Sequence, residues 1–276
     1  MSDIEVDDWS PADHPYAIAV SEAQWWKNTA VLAVSRMRSG GETVGWFDAR
    51  QIDARQLCVA LRQLLMAEKL QQISLDELNI DPLVSQELAR AREQFEESLP
   101  GIKDIRDGLT HFEDWSRGKG RGPQKARIKA GESERDVARA FWSFGYDAAA
   151  DTVSMGPYQI SVDVVEQAAS QLAHAIYLAA HHIDMVNATQ VRDTAVQALA
   201  GAKITRVRII AGDTCAVLLS LDPADDLDEP KRLELAARVV AATENAALRL
   251  FSTTHPQHTD VAQRLADGET LQLRQI

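Results

Sequence analysis

The sequence predicts an α+β chain in two parts: a mainly α-helical bundle carrying a small β-hairpin, then a smaller α+β sandwich domain. Three observations lead there. Apolar residues recur every three or four positions through most of the first 184 residues. Aromatic and β-branched residues gather around residues 140–160, where helical spacing lapses. From about residue 187 short β-rich runs alternate with helical pattern. The expected domains are therefore residues 1–186, with the hairpin inserted around 140–160, and residues 187–276.

Each element has its own signal. Residues 16–38 carry apolar groups at helical spacing and end in "RMRSGGE", a basic last turn stopped by two glycines. Residues 50–73 repeat the pattern, with Ile52, Leu57, Leu61, Leu64 and Leu65 on one side. A third helix is expected from Pro82 to Glu97, and "LPG" separates it from a fourth, whose stripe is Ile102, Ile105, Leu109, Phe112 and Trp115. Five glycine or proline positions among residues 118–131 predict a loop or hairpin. "AFWSFGYD" and "TVSMGPYQI" predict two strands around a turn, and residues 161–184 a long apolar helix. The remainder reads as β, β, α, β, α, β, with "AGD" joining the first two strands and "ETLQLRQI" forming the last.

Composition narrows the function. With 45% apolar and 25% charged residues the chain is an ordinary globular one, and its net charge of −12 argues against a surface that coats nucleic acid broadly. Any contact with RNA has to be a local patch. Cys58 and Cys215 lie in separate apolar segments and predict buried thiols in a reducing compartment rather than a disulfide or a thiolate metal cage. The acidic start "MSDIEVDDWSPADHP" and the interrupted apolar runs predict a soluble, cytoplasmic protein without a membrane span. Phosphate-loop, dinucleotide-fingerprint, nucleophile-elbow and H-E-x-x-H patterns are all missing, and no cofactor is indicated.

The segment "GIKDIRDGLTHFEDWSRGKGRGPQ" carries the candidate chemistry. On a continuous helix Arg106 and His111 fall on opposite flanks of the apolar stripe, about 140° apart and about 7.5 Å along the axis. Asp107 and Asp114 each lie about one turn from His111, where a carboxylate could orient the imidazole. Downstream, Arg117, Lys119, Arg121, Lys125, Arg127 and Lys129 place six cations in thirteen residues of an acidic chain. Such a run can hold a phosphate backbone. A histidine can accept the proton of a ribose 2′-hydroxyl as that oxygen attacks phosphorus, while an arginine fork neutralises the phosphate oxygens.

Arg106, the polar Asp107 after it, and His111, opening a late helix of a small bundle, resemble the R-x4-6-H motif of the HEPN superfamily, many of whose members are RNases of toxin–antitoxin and phage-defence systems. The resemblance spans residues 106–111 and, loosely, the helical half. It implies metal-independent RNA cleavage by a homodimer whose cleft joins the motif of both subunits. His111 would be the general acid/base, Arg106 the phosphate clamp and Asp107 the polar position. Arg117, Lys119, Arg121 and Lys125 would bind substrate RNA, with tRNA among the candidates. An antitoxin or regulatory protein would be a further partner. A second arginine–histidine pair, Arg249 with His255, starts on an expected strand and has leucine after the arginine, so it lacks this context.

Plainer readings stand beside these. His111 with Asp107 and Asp114 also fits a surface ion cluster, and the cationic run a solvated connection. "THPQHTD", with His255, His258 and Asp260, reads as a polar loop rather than a metal site. His181 and His182 are expected to end a helix, and Trp25 and Trp26 to anchor a core or an interface. The alternatives to a nuclease are a non-catalytic HEPN-like dimerisation or interaction protein with a regulatory C-terminal domain, or an RNA-binding module using the 117–129 run.

Overall fold

The computed structural model describes residues 10–211, 215–222, 227–254 and 260–275. The chain divides into two compact units, Met1–Ala180 and His181–Ile276. The division falls within one helix, six residues before the 186/187 boundary expected from the change of sequence texture.

The first unit is built on a helical hairpin. After a short 3-10 turn, α1 (Pro15–Ser39) ends at Gly40, and a two-stranded ribbon of β1 (Thr43–Val44) and β2 (Phe47–Asp48) leads to α2 (Ala49–Glu77). The Asp48 carboxylate accepts from the Arg50 backbone N–H at 2.9 Å and caps α2. Ala23, Ala30, Ala33, Val34 and Met37 of α1 are buried, as are Leu57, Cys58, Leu61, Leu64 and Leu65 of α2. The alanines keep one helix surface thin, so the leucines of the other can fill the space between them. Next come α3 (Pro82–Ser98), opened by Asp81 and Pro82, and α4 (Ile102–Thr110); both pack on α2. α5 (Phe112–Trp115), α6 (Pro123–Lys129) and α7 (Glu134–Phe141) lead to an antiparallel sheet of β3 (Phe144–Asp147), β4 (Thr152–Met155) and β5 (Tyr158–Ser161).

α8 (Val165–Gly201) continues into the second unit. There an antiparallel sheet runs in the order β6 (Val207–Ala211), β7 (Val217–Leu221), β9 (Leu271–Gln275), β8 (Leu248–Phe251), accompanied by α9 (Glu229–Glu244) and α10 (Val261–Ala266). Alternation decides its core: Val217 and Leu219, Leu248 and Leu250, Leu271 and Leu273 point inward onto Ala236, Val239 and Leu265 of the helices. The outward residues include Arg208, Arg249 and Arg274. This is the expected α+β class, and the β, β, α, β, α, β order is the one observed.

Several elements differ from expectation. The expected long helix runs to Gly201 rather than 184, so His181 and His182 sit mid-helix and the dipole explanation for them falls away. The single hairpin is a three-stranded meander, because Gly156 at φ +57 turns "TVSMGPYQI" back on itself as β4 and β5, while "AFW" finishes α7. Pro123 starts a helix within the glycine-rich run: its fixed φ suits a first helical turn, and the six residues after it, all but Ile128 good helix formers, continue to Lys129. Ile52 is exposed rather than buried, and Trp25 is exposed as well, which excludes it from the core and leaves the interface reading. Cys58 is buried as expected, with its thiol pushed up to about 12 by burial, but Cys215 is only half-buried, holds φ +59 and has Sγ 3.4 Å from His181 Nδ1. Among the described residues no helix is long and apolar enough to cross a membrane.

Candidate functional site

Helix α4 is held by its own stripe and by two close approaches. Ile102 and Ile105 are buried, and Gly108 faces the meander so tightly that a Cβ there would lie 2.3 Å from Met155 Cε. The glycine, which weakens a helix interior, therefore admits β4 and the Trp115 ring. At its start Gly101, with φ +82, lets the Tyr158 ring lie where any side chain would collide.

The helix does not continue through His111. Its φ of −109° and ψ of 43° are non-helical: its N–H closes α4 on the Asp107 carbonyl at 2.9 Å, and its carbonyl accepts from Asp114 and Trp115 to open α5. This break puts the expected stripe out of phase. Trp115 is still buried, but Phe112 is 57% exposed.

Arg106 and His111 nevertheless line one pocket. It has a volume of about 410 Å³, and its other walls are Arg62 of α2, Asp104, Asp107, Asp114, Trp115, Gly120, Arg121 and Gly122. His111 and Arg121 are exposed, so the pocket reaches solvent. The expected bracketing of the imidazole by Asp107 and Asp114 is not what forms. Arg106 Nη1 donates to Asp107 Oδ1 at 2.9 Å, Arg117 Nη2 donates to Asp114 Oδ1 at 2.8 Å, and the carboxylate within ion-pair reach of His111 Nδ1 is Glu113, at 4.0 Å. Side-chain competition explains this: each arginine fork outbids an imidazole for the nearest carboxylate.

The far wall is a loop tied down by one buried amide. Gln124 is wholly buried; its Oε1 accepts from Gly120 N at 2.7 Å and its Nε2 donates to the Trp115 carbonyl at 3.0 Å. Gly118, at φ +76, passes so close to the Glu134 carbonyl that a Cβ would lie 2.1 Å from it. The indole of Trp115 packs edge-on against Phe141, whose ring meets Tyr158.

The predicted substrate-binding cations divide into two groups. Arg117 pairs with Asp114, Lys119 lies 3.6 Å from Glu134, and Arg127 is held by Glu132. Among the described residues Arg121, Lys125 and Lys129 make no ion pair, and of these Arg121 lines the pocket.

Two pocket groups escaped the sequence reading. Burial pushes the Asp104 carboxyl above the usual carboxylate range, against a hydrogen bond from the Tyr158 hydroxyl, whose own pKa is raised to about 12, chiefly by burial. Arg62 makes no ion pair among the described residues, and its Nε is buried without a hydrogen-bond partner. An unmet buried donor costs about 1–3 kcal/mol. Its signal was available in the helical phase, since Arg62 lies one turn from the buried Cys58 and Leu65. A charged side chain on that rim has to find a partner or a cavity.

Other candidates fall outside this site. Among the described residues no group of three or more His, Cys, Asp or Glu is close enough to hold a metal ion. His255 and His258, and with them the Arg249–His255 pair and the "THPQHTD" reading, lie outside the described residues, as does most of the "AGD" turn. No protein-family model matches the chain, nor does any of the curated proteins or solved structures compared with it.

Proposed function

We propose that the chain is a metal-independent endoribonuclease of HEPN type, acting as a cytoplasmic homodimer in a toxin–antitoxin or phage-defence setting. The observation that carries this reading is that Arg106 and His111 line one solvent-reaching pocket with two further arginines that make no ion pair among the described residues. His111 takes the 2′-hydroxyl proton and returns one to the leaving 5′-oxygen; the 2′-oxygen forms a bond to phosphorus as the bond to the 5′-oxygen breaks, leaving a cyclic phosphate. Arg106 neutralises the phosphate oxygens, and Asp107, hydrogen-bonded to Arg106, fixes its rotamer. Lys119, Lys125 and Arg117 flank the path of the strand beyond Arg121.

A second reading has its own support. The β1–β2 ribbon displays Trp46 at 97% exposure beside exposed Val44 and Phe47, which suits a non-catalytic interaction protein with a regulatory C-terminal domain. Cleavage of labelled tRNA and mixed single-stranded RNA by pure protein in EDTA separates the two. The nuclease reading expects cyclic phosphate ends and loss of cutting in both Arg106→Ala and His111→Ala. A well-folded dimer that cuts nothing favours the interaction protein.

A further inference from the structure

The pocket is lined by two arginines beyond the Arg106–His111 motif, and one of them, Arg62, comes from a different helix. Of its three carboxylates, Asp107 is taken by Arg106, Asp114 by Arg117, and Asp104 by the Tyr158 hydroxyl. None is taken by Arg62. Gln71, further along α2, also holds buried amide atoms without hydrogen-bond partners, but it is wholly enclosed. Arg62 instead lines a pocket that the exposed His111 and Arg121 open to solvent. A half-buried arginine whose Nε–H has no hydrogen-bond partner, and whose guanidinium makes no ion pair among the described residues, lines the pocket with Arg121, and such a planar fork suits a pair of anionic oxygens.

We propose that Arg62 is a phosphate-binding residue of this pocket, and that with Arg121 it seats one phosphodiester of the RNA strand within a single protomer. The assignment rests on the reading of the pocket as the RNA site. It adds that the anion is held from α2, outside the motif, and that Arg62 binds through its fork rather than through charge alone. Lysine keeps the charge at that position but lacks the planar guanidinium fork, so it cannot replace the arginine. Arg106, shared with Asp107, is left for the scissile phosphate.

The test is binding of a fluorescein-labelled RNA methylated at every 2′-oxygen, which cannot be cut, to the full chain and to Arg62→Lys, Arg62→Gln and Arg90→Ala, the last at an exposed α3 arginine outside the pocket lining. Inorganic phosphate serves as competitor. The expected result is about a tenfold loss of affinity in both Arg62 variants, a change within about twofold in Arg90→Ala, and competition by phosphate in the wild type. In parallel, phosphate should raise the melting temperature of the wild type and not that of Arg62→Lys. Wild-type affinity and an unchanged phosphate response in a folded Arg62→Lys would overturn the proposal. If Arg62→Gln does not fold, Arg62→Lys decides. Loss of binding in the Arg62 variants, together with absence of RNA cutting by any form, would leave the phosphate seat standing and remove the nuclease.

Discussion

Glu269, between α10 and β9, and Asp104, in the pocket of the first unit, are both carboxylates with hydroxyl donors, yet their surroundings act in opposite directions. Glu269 accepts hydrogen bonds from the hydroxyls of Ser252 and Thr254 and from Arg264, and these donors pull it down to about 2. Asp104 is pushed up by burial first and by Asp107 next, and the Tyr158 hydroxyl only partly offsets that. Where the second unit satisfies this charge internally, the pocket leaves one raised by burial and, among the described residues, leaves Arg62 and Arg121 without an ion pair. Charges a fold settles for itself serve stability; charges it leaves unsettled in a cavity mark a place for a ligand.

The comparison can be broken at either end. The largest effect is expected from His111→Ala and Arg106→Ala, each lowering RNA cleavage by about 10²-fold or more while circular dichroism and oligomeric state stay unchanged. Unaltered rates would move the chemistry elsewhere. Next comes Gly108→Val, which drives side-chain atoms into Met155 and Trp115 and is expected to cost about 1–3 kcal/mol in urea unfolding. A neutral outcome would mean that the meander does not press on α4.

The two carboxylates predict opposite slopes with pH. Glu269 is depressed, so its contribution is present above the ordinary carboxylate value and is lost as pH falls toward about 2. Glu269→Gln should remove about 1 kcal/mol, once solvent screening is counted, at pH 6 and little at pH 2, read from thermal melts. Asp104 is raised, so its contribution is full below the unfolded value and is lost as pH rises through the folded one. Asp104→Asn should therefore melt higher than wild type above that range and bind phosphate severalfold more tightly. Equal phosphate affinity in that variant would show that Asp104 does not face the anion. The smallest effect belongs to the outer cations: Lys125→Ala is expected to reduce the salt slope of RNA binding by roughly 0.7 and leave the cutting rate alone.

Periodicity made most of the architecture legible, because burying one face of a helix or strand constrains every third, fourth or second residue. Leu57, Leu61, Leu64 and Leu65 are buried as their spacing requires, and so are Val217, Leu219, Leu271 and Leu273. What the pattern could not reveal came from single residues in uncommon roles. The break at His111 depends on its own backbone angles, and it exposes Phe112, which helical phase had placed inside. The helix after Pro123 was hidden by glycines that serve other purposes, Gly118 and Gly120 being packed against Glu134 and Gln124. The site was half legible: Arg106, Asp107, His111 and Arg121 do share a pocket, whereas Arg62 arrives from a helix some forty residues upstream and Asp104 reads as an ordinary surface acid. The carboxylate partners of His111 were misread because arginines on the same turns compete for them.

One measurement bears most directly on whether this pocket performs the chemistry. An RNA oligonucleotide that the protein cuts at one position would be remade with a single 2′-deoxynucleotide at the cleaved residue. Its binding and cleavage would then be compared with those of the all-ribose form. If His111 takes the proton of that hydroxyl, the substituted strand binds with the same affinity and is not cut at that position. Cutting at an undiminished rate there would contradict 2′-hydroxyl attack and, with it, the role given to Arg106 and His111.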